Sequence, residues 1–289
     1  MFVAPSVLGA LSALLTTQTP RVSLSADLNP QLQWKEDSSV TLRLYDDRGN
    51  FSRIRLGLAL ENGWHLRFCQ KLARIPEDPD TSFLDEAYLE KPGEWGIGKQ
   101  YVFLGTGRLY RESVMALQAN TFIAFMSLPA SISYVDNGPR RQRGIILRIG
   151  ENLSLSAARG EHFGLNATAL TPLRRPEEAL PRGRGWRTLY NLSISQKVGG
   201  WTASAEFIKL QDGHSSEDKD SDILDVSLSY QFPYSGLLTG QFTLDAPNNR
   251  YNVWLDFTFP VGNKAFLVPA IRYHSEKKWQ FSVSAIIRL

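Results

Sequence analysis

Basic side chains recur at alternate positions early in the chain, a spacing that suits a charged surface better than a catalytic centre. Arg53 and Arg55 alternate with aliphatic residues, and Arg67 occupies the same kind of position in the next segment. Fixed cations along a cleft attract anions and raise their local concentration. We interpret this set as a basic wall that consists of Arg43, Arg53, Arg55, His65, Arg67 and Lys71.

Acidic side chains take the equivalent polar positions much later in the chain. If both sets line one lumen, they lie on different walls and produce a transverse field across a water-filled pore. The alternative is that the charges pair with neighbouring strands and only stabilise the wall. The predicted acidic wall consists of Glu206, Asp225, Asp245 and Asp256.

Other chemical motifs are incomplete. The glycines of 105–107 lack the third glycine of a dinucleotide fingerprint. Residues 218–222 match a calcium loop without its glycine or closing glutamate, and His214-Ser215 has no third catalytic group at a defined spacing. Cys69 is the one cysteine, which excludes an internal disulfide and a cysteine-based zinc site. We therefore expect no enzyme, cofactor or metal site.

A period of two dominates the chain from residue 21 onward. Leu224, Val226 and Leu228, for example, alternate with Asp225 and Ser227. Such alternation indicates strands with one apolar and one polar face. The seventeen candidate strands are 21–34, 40–46, 51–61, 64–72, 83–91, 95–103, 112–118, 121–135, 143–158, 162–171, 186–197, 200–211, 222–232, 237–246, 250–260, 264–275 and 278–289.

A soluble sandwich and a membrane barrel both show this alternation, and three features favour the barrel. Short turns, including one predicted at 159–161, alternate with long charged connections such as 172–185 and 212–222. Six of the seven tryptophans lie at strand ends, as an interfacial girdle requires. Arg53, Arg55 and Arg67 fall opposite the apolar residues, which avoids about 2–4 kcal/mol for each arginine at the bilayer midplane.

The predicted fold class is therefore all-β, a transmembrane antiparallel up-and-down barrel. When both termini lie on one side, the number of strands is even, so seventeen needs correction. Either the segment 112–118 is not a strand or 21–34 breaks at Asn29-Pro30. We predict about 16 strands within a range of 14–18, with 18 as the main alternative.

The average composition of the chain does not by itself indicate a membrane barrel. The 289 residues are 43% hydrophobic and 21% charged with a net charge of +3, and the mean hydropathy is −0.23. No apolar run reaches the roughly 18 residues that a membrane helix needs, and the small net charge argues against a polyanion-binding tail. A lipid-facing band and a polar lumen average out in a barrel, which explains the negative mean hydropathy.

The two ends of the chain carry further signals. Residues 2–15 are apolar and uncharged, with the length of a signal-peptide core. We predict a signal peptide at 1–20 and a barrel at 21–289; the alternative is a mis-assigned start or a buried first segment. The last strand alternates up to Leu289 and is similar to the C-terminal signal of bacterial outer-membrane barrels, which implies contact with the outer-membrane assembly machinery.

The stretch 51–112 resembles the bacterial phosphate-selective (O/P-type) porin family. The resemblance covers about a fifth of the chain: an arginine-rich strand, a hairpin, an acidic-Ala-Tyr strand and a Gly-Lys-Gln strand. It implies a diffusion channel in the bacterial outer membrane that passes small hydrophilic solutes, with a basic constriction and a preference for anions. The matching residues are Arg53, Arg55, Glu86, Ala87, Tyr88, Gly98, Lys99, Gln100 and Gly105.

The segment 104–120 is the least strand-like. It either folds into the lumen as a constriction, adding Arg108 and Arg111 to the basic wall, or forms a simple loop and short strand. A non-conducting structural or surface-binding barrel is the alternative function, favoured by the long loops. A homotrimer is expected by analogy with general porins alone, and outer-membrane lipids are the surrounding partner.

Overall fold

The computed structural model describes most of the barrel but not every connection. Of the segments discussed above, 1–20, 164–185 and 213–220 lie outside the described residues, so the signal peptide, most of the strand at 162–171 and the His214-Ser215 pair are not described. The described residues are 21–35, 39–45, 52–60, 62–73, 82–138, 142–161, 163, 186–212, 221–233, 236–246, 249–275 and 278–289.

Strands make up nearly all of the regular structure, because alternating apolar and polar residues suit a sheet with two different faces. One turn of 3₁₀-helix, Ala124–Met126, connects two of them. The strands are β1 (Arg21–Leu28), β2 (Gln31–Lys35), β3 (Val40–Arg43), β4 (Arg53–Ala59), β5 (His65–Lys71), β6 (Leu84–Lys91), β7 (Trp95–Phe103), β8 (Arg111–Ile123), β9 (Leu128–Asp136), β10 (Arg143–Gly150), β11 (Leu153–Glu161), β12 (Trp186–Val198), β13 (Trp201–Asp212), β14 (Ser221–Gln231), β15 (Leu237–Asp245), β16 (Arg250–Gly262), β17 (Ala265–His274) and β18 (Lys278–Arg288).

The eighteen strand segments cross the barrel wall from rim to rim sixteen times, because two of these crossings consist of two segments each. β1 and β2 both pair with β18 and are separated only by Asn29-Pro30, where proline removes a ladder donor. β3, which ends at Arg43, pairs with β2, and β4, which begins at Arg53, pairs with β1, so these two segments also form one crossing. Antiparallel pairing of every neighbour, including β18 with β1 and β2, closes the ring. The predicted closed 16-strand barrel is confirmed.

The apolar face points outward. Leu192 and Ile194 on β12 are about half exposed, whereas Asn191 and Ser193 between them are buried inside. The same alternation continues around the ring, so a broad apolar surface surrounds a polar interior, as lipid requires. The described residues contain no apolar helix of the length that a bilayer crossing requires.

Tryptophans mark both rims of the barrel. The rim that carries the short turns, here called the lower rim, has Trp64 and Trp95 in an edge-to-face contact, with ring centroids 4.5 Å apart. Trp34 and Trp279 lie at the opposite, upper rim. Trp254 is the exception, because it faces inward and donates a hydrogen bond to Asp256 over 2.9 Å.

Several predicted boundaries are wrong. The segments 40–46 and 51–61 were expected to be two strands, but they belong to one crossing. The segment 143–158 contains a turn at 151–152, and β11 runs through the turn predicted at 159–161. The doubted segment 112–118 is part of the long strand β8. When the two strands of a tight hairpin stay in phase, the alternation of apolar and polar residues continues through the turn, so the sequence pattern does not show where the turn lies.

Candidate functional site

One hairpin leaves the wall and folds into the lumen. β7 and β8 pair with each other as far as Phe103 and Arg111. Their outer partners stop earlier, since the pairing of β6 with β7 ends at Lys99 and that of β8 with β9 ends at Ala116. Beyond this point the hairpin is held by side chains of the interior. We call residues 100–114 the tongue.

The tip of the tongue is bound to the wall formed by β10–β14. The Nε atom of Arg108 lies 3.1 Å from Oδ1 of Asp225. The backbone N–H of Arg108 and the hydroxyl of Thr106 both donate to Glu206, the cross-strand neighbour of Asp225. Arg148 on β10 donates to the carbonyl oxygen of Gly105 over 3.2 Å. One tip therefore neutralises part of the acidic wall.

Gly105 lets the backbone of the tip approach the wall more closely than a residue with a side chain would. Its φ of +53° is a conformation that favours glycine. A Cβ atom there would lie 2.3 Å from Oδ1 of Asn191 and 2.9 Å from Glu206. Its N–H donates to the hydroxyl of Ser156. The glycine of the predicted constriction segment thus allows the backbone to approach the polar wall.

An apolar cluster fills the space between the tongue and β9–β14. Its members face the interior of the barrel, where an open lumen would expose them to water, but they are buried. Tyr110 of the tongue packs edge-to-face on Phe163, with ring centroids 6.3 Å apart. We call this group the lumenal apolar cluster: Val102, Leu104, Leu109, Tyr110, Val114, Ala116, Val135, Ile146, Ala158, Phe163, Leu189, Ile208, Leu210 and Ile223.

The other face of the tongue binds β6 through Asp85. The hydroxyl of Tyr101 donates to Oδ1 of Asp85 over 2.7 Å, and the hydroxyl of Ser113 donates to its carbonyl oxygen. Arg111 stacks on the ring of Tyr101 at 4.3 Å. β6 and β14 are eight crossings apart in the ring of sixteen, so the tongue reaches between opposite walls.

The basic wall is compensated by carboxylates on neighbouring strands. Arg55 lies 2.6 Å from Asp27 on β1, and Arg53 lies 3.5 Å from the same carboxylate. Arg67 lies 2.6 Å from Glu90, which is also 3.7 Å from His65. The remaining contacts are Arg53 to Asp85 at 3.5 Å, Lys71 to Asp85 at 3.9 Å and Arg43 over the ring of Tyr45 at 5.4 Å.

The acidic wall is more deeply buried than the basic wall. Glu206 and Asp225 are each 1% exposed and Asp245 is fully buried, whereas the side chain of Arg67 is 53% exposed. Asp256 is also buried and accepts the hydrogen bond from Trp254. The more accessible charges are therefore those of the basic wall.

The two predicted constriction arginines have separate locations. Arg111 lies on the tongue face that binds β6, close to the basic wall. Arg108 does not join the basic wall, because the tip carries it across to Asp225. The predicted segment 104–120 differs from the observed tongue, since 116–120 belong to the barrel wall. The effect of either arginine on passing solutes stays a prediction.

Sequence reasoning missed the carboxylates that hold the basic wall. Asp27 and Glu90 occupy the polar face of β1 and β6, in phase with the arginines that they meet. Alternation alone could have placed them there. Asp85 was harder to find, because it lies at a bulge where the register between β5 and β6 shifts.

Cys69, Asp85 and Glu86 bring three potential metal-ligating atoms together within the described part of the chain. The surroundings do not suit a cation. Arg53 and Lys71 lie against Asp85, and the thiol of Cys69 is 3.6 Å from the same carboxylate. We assign this cluster to the charge network of the wall.

A closed 16-strand barrel with an apolar exterior, a polar interior and an inward-folded hairpin defines the class of bacterial outer-membrane β-barrels. No family model and no curated protein matches the chain. The trimer form of OmpT, an outer membrane protein of Vibrio cholerae, has a TM-score of 0.60 at 12% identity, covering 94% of this chain and 100% of that chain.

Two further structures are porins. An anion-selective porin from Comamonas acidovorans has a TM-score of 0.58 at 13% identity and covers 93% of this chain and 99% of its own. A mutant of the Rh. blastica porin has a TM-score of 0.57 at 10% identity and covers 93% and 100%. At such identities the likeness establishes the fold, and the predicted outer-membrane barrel is confirmed at that level.

Proposed function

We propose that the protein is a bacterial outer-membrane channel for passive diffusion of small hydrophilic solutes, with a mild preference for anions. The observation that carries the proposal is the tongue, which spans between opposite walls and so limits the cross-section of the lumen. Beside it, the basic wall is the more accessible charged surface. The anion-selective porin with the same fold is consistent with this proposal.

The charge near the tongue supports only a modest preference. Arg53, Arg55 and Lys71 are balanced in part by Asp27 and Asp85. Arg111 adds one further cation on the tongue. Because paired charges produce a weaker field than isolated ones, we expect selectivity of a few-fold rather than an absolute filter.

Single-channel reversal potentials in a salt gradient test this proposal. Replacing Arg53, Arg55 and Arg67 by glutamine should shift the reversal potential toward cations. The matched control replaces Arg143 and Arg159, which lie on the outward face of β10 and β11, and should leave it unchanged. An unchanged reversal potential in the triple variant would rule out the basic wall as the selectivity element.

A non-conducting barrel is the second candidate, and the lumenal apolar cluster favours it. Fourteen buried residues, five of them on the tongue, fill one side of the interior. If the wild-type protein does not conduct but a variant with 104–110 replaced by two glycines does, the tongue is a plug.

Crosslinking in native membranes tests the proposed homotrimer, which the trimer form of OmpT makes reasonable.

A further inference from the structure

Asp85 is the meeting point of the tongue and the basic wall. It is fully buried and lies at the bulge of β6. Its carboxylate accepts a hydrogen bond from Tyr101 and lies 3.5 Å from Arg53 and 3.9 Å from Lys71. Its backbone carbonyl accepts from Ser113. One residue therefore holds two cations of the wall and the base of the tongue.

We propose that Asp85 is a positioning residue that sets both the position of the tongue and the strength of the basic wall. The inference deepens the proposed channel function and rests on it for its electrical readout. The pairing of β6 with β7 stops at Lys99, so side chains replace the ladder of backbone hydrogen bonds beyond that point. Tyr101 and Ser113 supply this replacement, and both bind Asp85.

The same carboxylate limits the charge available to a solute. The side chains of Lys71 and Arg53, which contact Asp85, are 3% and 19% exposed, whereas that of Arg55, which contacts Asp27, is 33% exposed. Breaking a buried ion pair on one side leaves the partner charge uncompensated. Removing the charge of Asp85 takes one carboxylate away from Arg53, which keeps its contact with Asp27, and should therefore raise the net positive charge that the basic wall presents to anions in the lumen.

Glu86 provides a matched control. It is the next residue on β6, it faces the same cluster, and it carries the same charge. No hydrogen bond or ion pair joins Glu86 to the described residues of the tongue. A pure effect of lumenal charge would follow from Glu86→Gln as well as from Asp85→Asn, whereas control of the tongue would follow from Asp85→Asn alone.

Reversal potential and current noise of single channels test the proposal. Asp85→Asn should increase the anion-to-cation permeability ratio about two- to five-fold and increase the noise of the open-channel current. Glu86→Gln should change the permeability ratio less and leave the current noise at the wild-type value. Tyr101→Phe keeps the charge of Asp85 but removes the hydrogen bond to it, so it should increase the current noise without changing the permeability ratio. Equal ratio changes and equal noise in Asp85→Asn and Glu86→Gln would overturn the inference.

A second measurement separates this inference from the channel proposal. Amide hydrogen exchange of residues 100–114 in the full-length refolded barrel requires no conductance. We expect exchange at least tenfold faster in Asp85→Asn and Tyr101→Phe than in Glu86→Gln. If exchange is unchanged in both variants, Asp85 does not position the tongue even when the channel conducts. If the barrel does not conduct but exchange rises as expected, only the channel proposal fails.

Discussion

Arg108 and Asp225 join the tip of an inward-folded hairpin to a strand of the far wall, with Nε and Oδ1 3.1 Å apart. The residues are 117 positions apart in the sequence. Asp225 is directly cross-strand from Glu206, so Arg108 contacts two adjacent buried carboxylates, Asp225 through its guanidinium and Glu206 through its backbone N–H. This relationship explains why the tongue lies against β13 and β14.

Replacing Arg108 by glutamine should destabilise the barrel by about 3 kcal/mol, because removing one partner leaves a buried charge unpaired. Denaturant unfolding in lipid vesicles measures the change. Adding Asp225→Asn to this variant should recover part of the loss, since the uncompensated carboxylate is then absent. Additive losses in the double variant would show that the two side chains do not interact.

Gly105→Ala should displace the tip of the tongue and change the conductance. The new Cβ atom would lie 2.3 Å from Asn191 in a backbone conformation that alanine rarely adopts. Gly138→Ala is the matched control, because Gly138 also has a positive φ, of +90°, but no atom lies within 4 Å of the added Cβ. Single-channel conductance should differ from wild type only for Gly105→Ala, and equal effects would mean that backbone strain alone is responsible.

Leu189→Ala should cost about 2–5 kcal/mol, as expected for a cavity in a packed core. Leu189 is fully buried in the lumenal apolar cluster. Leu192→Ala, on the same strand but facing outward and 47% exposed, should cost less because lipid can fill the space. Equilibrium unfolding of both variants compares the two faces of β12. A smaller loss for Leu189→Ala would contradict a packed lumen.

Leu192→Arg should destabilise the folded barrel by about 2–4 kcal/mol if this position lies near the bilayer midplane. Val198→Arg lies at the lower rim of the same strand, where the cost falls to about 0–1 kcal/mol. Both residues are exposed apolar side chains. Folding into vesicles, followed by gel mobility with and without heating, reports the difference, and equal costs would place β12 outside the hydrocarbon region.

Much of the barrel could be predicted because the relevant signal is local. Alternation fixes which side chains share a face, as for Leu192 and Ser193, and the tryptophans mark where strands meet the rims. The single crossing that β3 and β4 form could not be predicted, because two short alternating segments look the same whether they form two crossings or one. Only pairing with β1 and β2 distinguishes these cases.

The tongue could be predicted only in part. Gly105 and Arg108 indicated an unusual segment, but its partners Glu206 and Asp225 are about one hundred residues away, and spacing carries no information about them. The hydrophobic residues that it covers, such as Leu189, were assigned to a regular strand. Alternation places Leu189 on the same face as Asn191 and Ser193, but nothing local shows that an apolar residue on this face packs against a hairpin rather than facing an open lumen.

The interruption at Asn29-Pro30 also bears on how the ring is joined. β18 meets β1 over only two residue pairs and β2 over five, and these residues are about 250 positions apart in the chain. Closing so long a loop costs about 3 kcal/mol more than closing a ten-residue hairpin. We therefore expect the junction between the first and last crossings to be the last contact of the ring to form during insertion.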